Sequence, residues 1–167
     1  PDGKRAAQAC TGHLTATGEI EDLSQSALVF YDVSLSGLKE TERLDVAQLG
    51  VEGLQNDVVF ANAEYALIKS QTPYGGTSHN RWIALELSSK KVSTLLEARP
   101  DENGEGKGLT YGAMSCSPGC SDVCLLADSD RGVLQRVQIE AGRSPKLLTP
   151  VTVEEQVGLP PRGIASR

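Results

Sequence analysis

Short runs of Val, Ile, Leu and Thr alternate along the whole chain with clusters of Gly, Asn, Asp, Ser and Pro. Runs of this length and composition, bounded by turn-forming residues, are typical of β-strands. No segment keeps the 3.6-residue apolar period of an amphipathic helix, and a single helical turn over residues 152–157 would end at Gly158 and the Pro160-Pro161 pair. We therefore expect an all-β protein.

A repeat organises these strands. A pattern of about eight residues that opens with Gly-Leu begins at Gly53, Gly108 and Gly158, so its copies are 55 and 50 positions apart. Internal periods of this size are typical of propellers and other repeat folds. Three further sets of strands keep the same spacing: residues 5–10, 65–70 and 122–127; residues 28–33, 82–87 and 133–139; and residues 41–46, 91–96 and 144–149.

With strands A to D named from the Gly-Leu strand onward, the chain is ordered BCD-ABCD-ABCD-A. Four antiparallel strands repeated radially form the blade of a β-propeller. The sequence thus predicts about three blades: residues 4–46 completed by strand 163–166, then residues 57–96, then residues 112–149. The whole of residues 1–167 is expected to be one partial propeller.

Two stretches carry a resemblance to a known family. The run Pro1-Asp2-Gly3-Lys4-Arg5 before a strand of small apolar residues resembles bacterial β-propeller repeats of the surface-protein and lactonase-like families. The run Gly-Leu-Pro-Pro-Arg, which ends at Arg162, is similar to propeller repeats of the NHL type. The resemblance covers nearly the whole chain as a pattern. It implies that ligands are bound where the B–C and D–A loops emerge together.

The ends of the chain suggest how such a ring would close. Strand 163–166 followed by Pro1-Asp2-Gly3-Lys4-Arg5 makes an ordinary A–turn–B junction. Because propellers need about four to eight blades, three would leave strand edges exposed. We expect either a second copy, giving a six-bladed ring, or the remaining blades of a longer propeller. The lack of an initiator Met favours the longer propeller slightly.

The long loops on the predicted binding face hold the candidate ligand-binding residues. The B–C loops span residues 11–26, 71–80 and 128–132, and the D–A loops span residues 47–53, 98–108 and 150–158. Long loops on a rigid scaffold are where function concentrates. Polar side chains able to converge there are His13, Asn56, Tyr74, His79, Tyr111 and Arg162. Each has a simpler interpretation, as a solvated loop residue, a turn cap or an ion-pair partner.

Two acidic turns are candidate calcium sites. Asp101, Asn103 and Glu105 alternate before a Gly, as oxygen ligands do at the start of an EF-hand loop, but the closing Glu position is Gly112. Asp128 and Asp130 form a second acidic turn, although Asp and Gly are also ordinary hairpin residues. The expectation is therefore no cofactor, with calcium at these turns as the alternative.

The four cysteines are Cys10, Cys116, Cys120 and Cys124, and the last three are spaced C-x3-C-x3-C. The even number of cysteines favours one or two disulfides. A metal site with His13 as fourth ligand is a weaker alternative, because structural zinc sites normally use more closely spaced cysteine pairs. Free thiols are the third alternative. The pairing is open at this stage. Disulfides would place the chain in the periplasm, on the cell surface or outside the cell.

The charge and the motifs of the chain argue against several classes of function. The net charge of −6 argues against a nucleic-acid partner, and no apolar run approaches the roughly 18 residues of a membrane helix. No G-x-S-x-G motif is present, and neither His lies in a sequence context typical of a catalytic nucleophile. We expect a non-enzymatic, extracytoplasmic scaffold that binds a protein or ligand, or a surface-layer or lipoprotein component. The alternative is part of a propeller hydrolase or lyase with a divalent metal in the channel.

Overall fold

The computed structural model describes residues 3–17, 20–70, 80–100, 106–107, 113–116, 122–128 and 131–153. These residues are mostly β, as expected, in antiparallel sheets. In chain order the strands are β1 (Arg5–Cys10), β2 (His13–Leu14), β3 (Ile20–Asp22), β4 (Ala27–Ser34), β5 (Gly37–Asp45), β6 (Leu54–Phe60), β7 (Tyr65–Ser70), β8 (Arg81–Glu86), β9 (Val92–Glu97), β10 (Arg99–Pro100), β11 (Gly106–Lys107), β12 (Met114–Cys116), β13 (Val123–Asp128), β14 (Val133–Gln138) and β15 (Lys146–Thr152).

Three larger sheets follow one another along the chain. The first sheet has the order β1-β4-β5, the middle sheet β6-β7-β8-β9 and the last sheet β12-β13-β14-β15. Two small hairpins, β2-β3 and β10-β11, lie in connections that the sequence predicts to be loops. No closed ring of sheets is present among the described residues. Strand 163–166, expected to complete the first sheet, lies outside them.

The middle sheet is buried on both faces. One face packs on the first sheet through a cluster that includes Leu28, Leu44, Ile68, Ile83 and Leu85. The other face packs on the last sheet in a second cluster, made by Tyr65, Leu67, Trp82, Ala84, Met114, Cys116, Cys124, Leu126 and Val137 among others. Because successive side chains of a strand point to opposite faces, β7 must be apolar nearly throughout to serve both clusters.

The corresponding ends of the three sheets lie next to one another. The turn between β6 and β7 meets the turn between β14 and β15, where the Asn62 side-chain amide donates to the Ile139 carbonyl at 3.1 Å. In the same place the Gly142 N–H donates to a Glu64 carboxylate oxygen at 2.7 Å. The turn between β8 and β9 reaches the first sheet through Lys90, whose Nζ lies 2.6 Å from Glu42. The other ends of the sheets, where β1, β7 and β13 finish, therefore share one side, here called the loop end.

A short helix joins the first sheet to the middle sheet at the loop end. Helix α1 (Val46–Leu49) follows β5, and the sequence predicts only a loop there. Asp45 accepts a hydrogen bond from the Gln48 N–H, while the Gln48 side chain accepts one from the Asp45 N–H. This reciprocal cap stabilises even a single turn, and it lets α1 bury Val46 and Leu49. The connection thus covers the loop end of the first interface.

The structure shows the bonding state of three of the four cysteines. Cys116 and Cys124 form a disulfide between register partners of β12 and β13, with their Cα atoms 4.3 Å apart. Cys10, on β1, is a free thiol, and Cys120 lies outside the described residues. The disulfide expected from the sequence is therefore confirmed for one pair, and it lies in the cluster between the middle and last sheets.

Replacing both half-cystines (C116A with C124A) should lower the free energy of unfolding by about 2.5 kcal/mol, because the bridge closes a loop of about nine residues in the unfolded chain. Urea unfolding followed by circular dichroism measures the loss. The matched control is C10A, which removes a thiol but no cross-link. Equal stability of the double variant and the wild type under oxidising conditions would contradict a formed bridge.

Candidate functional site

A buried lysine is the most unusual feature of the loop end. Lys69 is the second-last residue of β7 and is 0% exposed. Its Nζ lies 5.4 Å from the centre of the Trp82 ring, on the neighbouring strand β8, where the two residues are register partners. A cation held over an indole face is attracted by the ring, and more so when water is excluded. Lysine is rarely buried completely unless its charge is compensated, so this position is specified by more than packing.

A buried carboxylate lies at the loop end of the last sheet. Asp128 is the last residue of β13 and is 2% exposed. Its Oδ2 lies 2.7 Å from Nε of Arg131, and its Oδ1 accepts the Arg131 backbone N–H at 3.3 Å. The sequence places Asp128 in a loop, whereas the structure makes it the end of a strand. The ion pair offsets part of the desolvation cost of the carboxylate.

Both charges belong to the same interface. Lys69 is on the face of β7 that carries Tyr65 and Leu67, and Asp128 is on the face of β13 that carries Cys124 and Leu126. Those apolar residues form one cluster between the middle and last sheets. The interface is therefore apolar along its length and charged at the loop end. We call Lys69, Trp82, Asp128 and Arg131 the Lys69 cluster.

His13 lies in a separate part of the loop end. It is an exposed residue of β2, paired in register with Asp22 of β3. Asp22 accepts hydrogen bonds from the Ser24 hydroxyl at 2.5 Å, the Ser24 N–H at 2.9 Å and the Gln25 amide at 3.0 Å. The bonds from the Ser24 and Gln25 side chains hold the pKa of Asp22 below its ordinary value. Asp22 thus caps the 3-10 turn Leu23–Gln25 and keeps this hairpin in place.

The structure does not bring together the other ligand-binding candidates that the sequence suggested, within the residues that it describes. Asn56 lies inside β6, where the pairing with β7 shifts register between Leu54 and Val58, rather than before the strand. The remaining ligand-binding candidates lie outside the described residues, and they are Tyr74, His79, Tyr111 and Arg162.

The calcium prediction stays a prediction. Asp101, Asn103, Glu105 and Asp130 lie outside the described residues. Within the part of the chain that the structure describes, no group of three or more His, Cys, Asp or Glu residues could hold a metal ion. Asp128, the one described member of the calcium set, directs both of its oxygens to Arg131.

Sequence reasoning missed the residues that make this end of the sheets unusual. Lys69, Arg81 and Trp82 flank the B–C loop of residues 71–80, which was itself a candidate. The available signal was a lysine inside the apolar run Tyr65-Ala66-Leu67-Ile68-Lys69-Ser70. In a strand that is buried on both faces, a charged residue needs a specific partner.

No protein-family model, curated protein or solved structure matches this chain. The site must therefore be interpreted from its own geometry. Among the described residues, no helix is long and apolar enough to cross a membrane.

The Lys69–Trp82 contact should show favourable coupling in a double-mutant cycle built from K69M and W82L. We expect the free energies of unfolding to give a coupling of about 1–2 kcal/mol, since the Lys69 amino group lies over the indole ring and its side chain is buried. Urea unfolding followed by circular dichroism measures all four proteins.

The chain offers a matched control for this cycle. Lys90 Nζ lies 5.2 Å from the centre of the Phe30 ring, but its side chain is 34% exposed. The same cycle with K90M and F30L should give a coupling below about 1 kcal/mol, because solvent screens the exposed cation. A coupling near zero at Lys69, or one no larger than at Lys90, would contradict the assigned role of burial.

Proposed function

We propose that the three sheets are consecutive blades of a β-propeller whose loop end binds a protein or ligand without catalysis. Three consecutive antiparallel sheets, of three, four and four strands, pack face to face in chain order and support this architecture. The three-stranded first sheet would be completed by strand 163–166, from a second copy or from remaining blades that close the ring. Fold by itself does not specify activity, so the argument for binding rests on the loop end.

The observation that carries the proposal is the unequal chemistry of the two ends of one interface. At the turn end, Asn62 and Glu64 hold Ile139 and Gly142 through ordinary hydrogen bonds. At the loop end, the ionisable side chains of Lys69 and Asp128 are almost completely buried. Burying an ionisable group costs free energy, and functional sites are one place where proteins keep such groups.

The disulfide supports an extracytoplasmic location for this scaffold. Disulfides persist in oxidising compartments, and Cys116–Cys124 joins two strands of the last sheet. A periplasmic, surface or secreted protein would keep this bridge. We include the location in the proposal for this reason.

The two ends can be compared directly by site-specific photocross-linking. A photoreactive residue is placed at exposed Thr17, on the loop end, or at exposed Ser88, in the turn between β8 and β9. In extracts of cells that make the protein, we expect discrete higher-mass adducts at least fivefold stronger from position 17 than from position 88. Mass spectrometry of the adducts then identifies the partner, whose purified form must reproduce the asymmetry.

Equal labelling at both positions, or stronger labelling at position 88, would contradict binding at the loop end. The K69M variant with the probe at position 17 adds a second comparison. If the Lys69 cluster shapes the binding face, its loss should weaken the adduct, while K90M at the other end should leave it unchanged.

A further inference from the structure

Two buried polar atoms at the loop end lack hydrogen-bond partners in the same interface. They are Oγ of Ser26, a residue that is 0% exposed, and Nε of Arg81, and neither finds a partner among the described residues. Leaving a buried donor unsatisfied is costly, and native proteins seldom do so without a reason. An external acceptor that entered this interface would satisfy such donors.

The pleat of the sheets turns these groups toward the same interface, between the first and middle sheets. Ser26 directly precedes β4 in extended conformation, so it shares a face with Leu28, which packs on the middle sheet. Arg81 shares a face of β8 with Ile83, which packs on the first sheet. Ser70 is the register partner of Arg81, and it belongs to the same face. We call Ser26, Ser70 and Arg81 the Arg81 cluster.

The cluster offers donors and one fixed positive charge. Among the described residues, no ion pair involves Arg81. The Ser70 hydroxyl is nearly buried, and its contact with the Arg81 carbonyl is a long 3.5 Å, so it can turn toward a better acceptor. Arg81 as a whole keeps partial solvent access, although its Nε is buried. Glu97, its register partner on β9, supplies a competing negative charge.

We propose that the Arg81 cluster binds a carboxylate group. The edge of a guanidinium group that includes Nε–H donates two parallel hydrogen bonds to one carboxylate, and a serine hydroxyl can add a third. The carboxylate belongs either to a small free acid or to an acidic residue of a protein partner. This inference deepens the proposed function, and it rests on the loop end being the binding face.

The test is a titration followed by NMR of the arginine Nε–H resonance of Arg81 in the full 167-residue chain. One arm uses sodium acetate, with sodium chloride at equal ionic strength as reference. The other arm uses a short peptide that contains one Asp, with its Asn counterpart as reference. We expect a saturable shift with acetate, with the Asp peptide or with both. The arm that binds more tightly identifies the source of the carboxylate.

Four variants make the test specific. Binding by the variants is measured by isothermal titration calorimetry, because R81Q lacks the Arg81 resonance. R81Q should abolish the saturable binding. R5Q, at an exposed arginine on β1, should leave the affinity unchanged. S26A should weaken binding on the order of tenfold. E97Q should strengthen binding, because it removes the competing charge.

Ser26 also separates binding from a structural role. If the Ser26 hydroxyl has a hydrogen-bond partner only when a ligand is bound, S26A should be at least as stable as the wild type when no carboxylate is present. The substitution then removes an unsatisfied buried group. A loss of stability in S26A without ligand would overturn the proposal, as would the absence of a saturable shift in both arms. Carboxylate binding at Arg81 without asymmetric photocross-linking would support the carboxylate site and contradict binding of a partner at the loop end. Asymmetric photocross-linking without carboxylate binding would support the loop end as the binding face and contradict the carboxylate site.

Discussion

The structure depends on the middle sheet, because it alone is packed on both faces within the described residues. Strand β7 is buried along its whole length, and its partner β8 is buried from Trp82 to Leu85. Each large apolar side chain that moves from water into such an interface contributes about 1.5–3 kcal/mol. The first and last sheets each cover one face, so removing either would expose a sheet that has no polar side. The three sheets therefore stabilise one another in a fixed order.

That same constraint explains why the loop end is the informative part of the molecule. A strand that is apolar on both sides has little room for charge, yet Lys69 remains at the end of β7 and Arg81 at the start of β8. The two residues face different neighbours, so each interface carries its own polar group at the same end. The opposite end has conventional turns and an exposed hairpin tip at Leu35. Chemistry is thus concentrated on one side of a scaffold that is otherwise built for packing.

Much of this architecture could be predicted from the sequence, because strand patterns are local. The run Tyr65–Ser70 predicted the strand that the structure shows as β7, and the short apolar runs predicted a mostly β protein with antiparallel sheets. Helix α1 was missed because four residues are too few to show a helical period, and the cap between Asp45 and Gln48 was the only signal. The pairing of Cys116 with Cys124 needed the register of β12 and β13, which spacing alone does not define.

The site was harder to predict for a physical reason. Polar loop residues such as His13 stand out in a sequence, whereas what makes Lys69, Ser26 and Arg81 unusual is the burial of their polar atoms. Burial depends on which sheet covers which face, and that is a property of the packed structure. The calcium set and the resemblance to propeller families remain predictions, because the described residues test neither of them.

Hydrogen exchange of the backbone amides tests the central claim most directly. If the middle sheet is covered on both faces, amides in residues 66–68 and 83–85 should exchange slowest, close to the rate set by global unfolding. Amides of the outer strand β15 and of the hairpin tip between β4 and β5 should exchange at least a hundredfold faster through local opening. Protection that is uniform across the three sheets, or greater in β15 than in β7 and β8, would contradict the account.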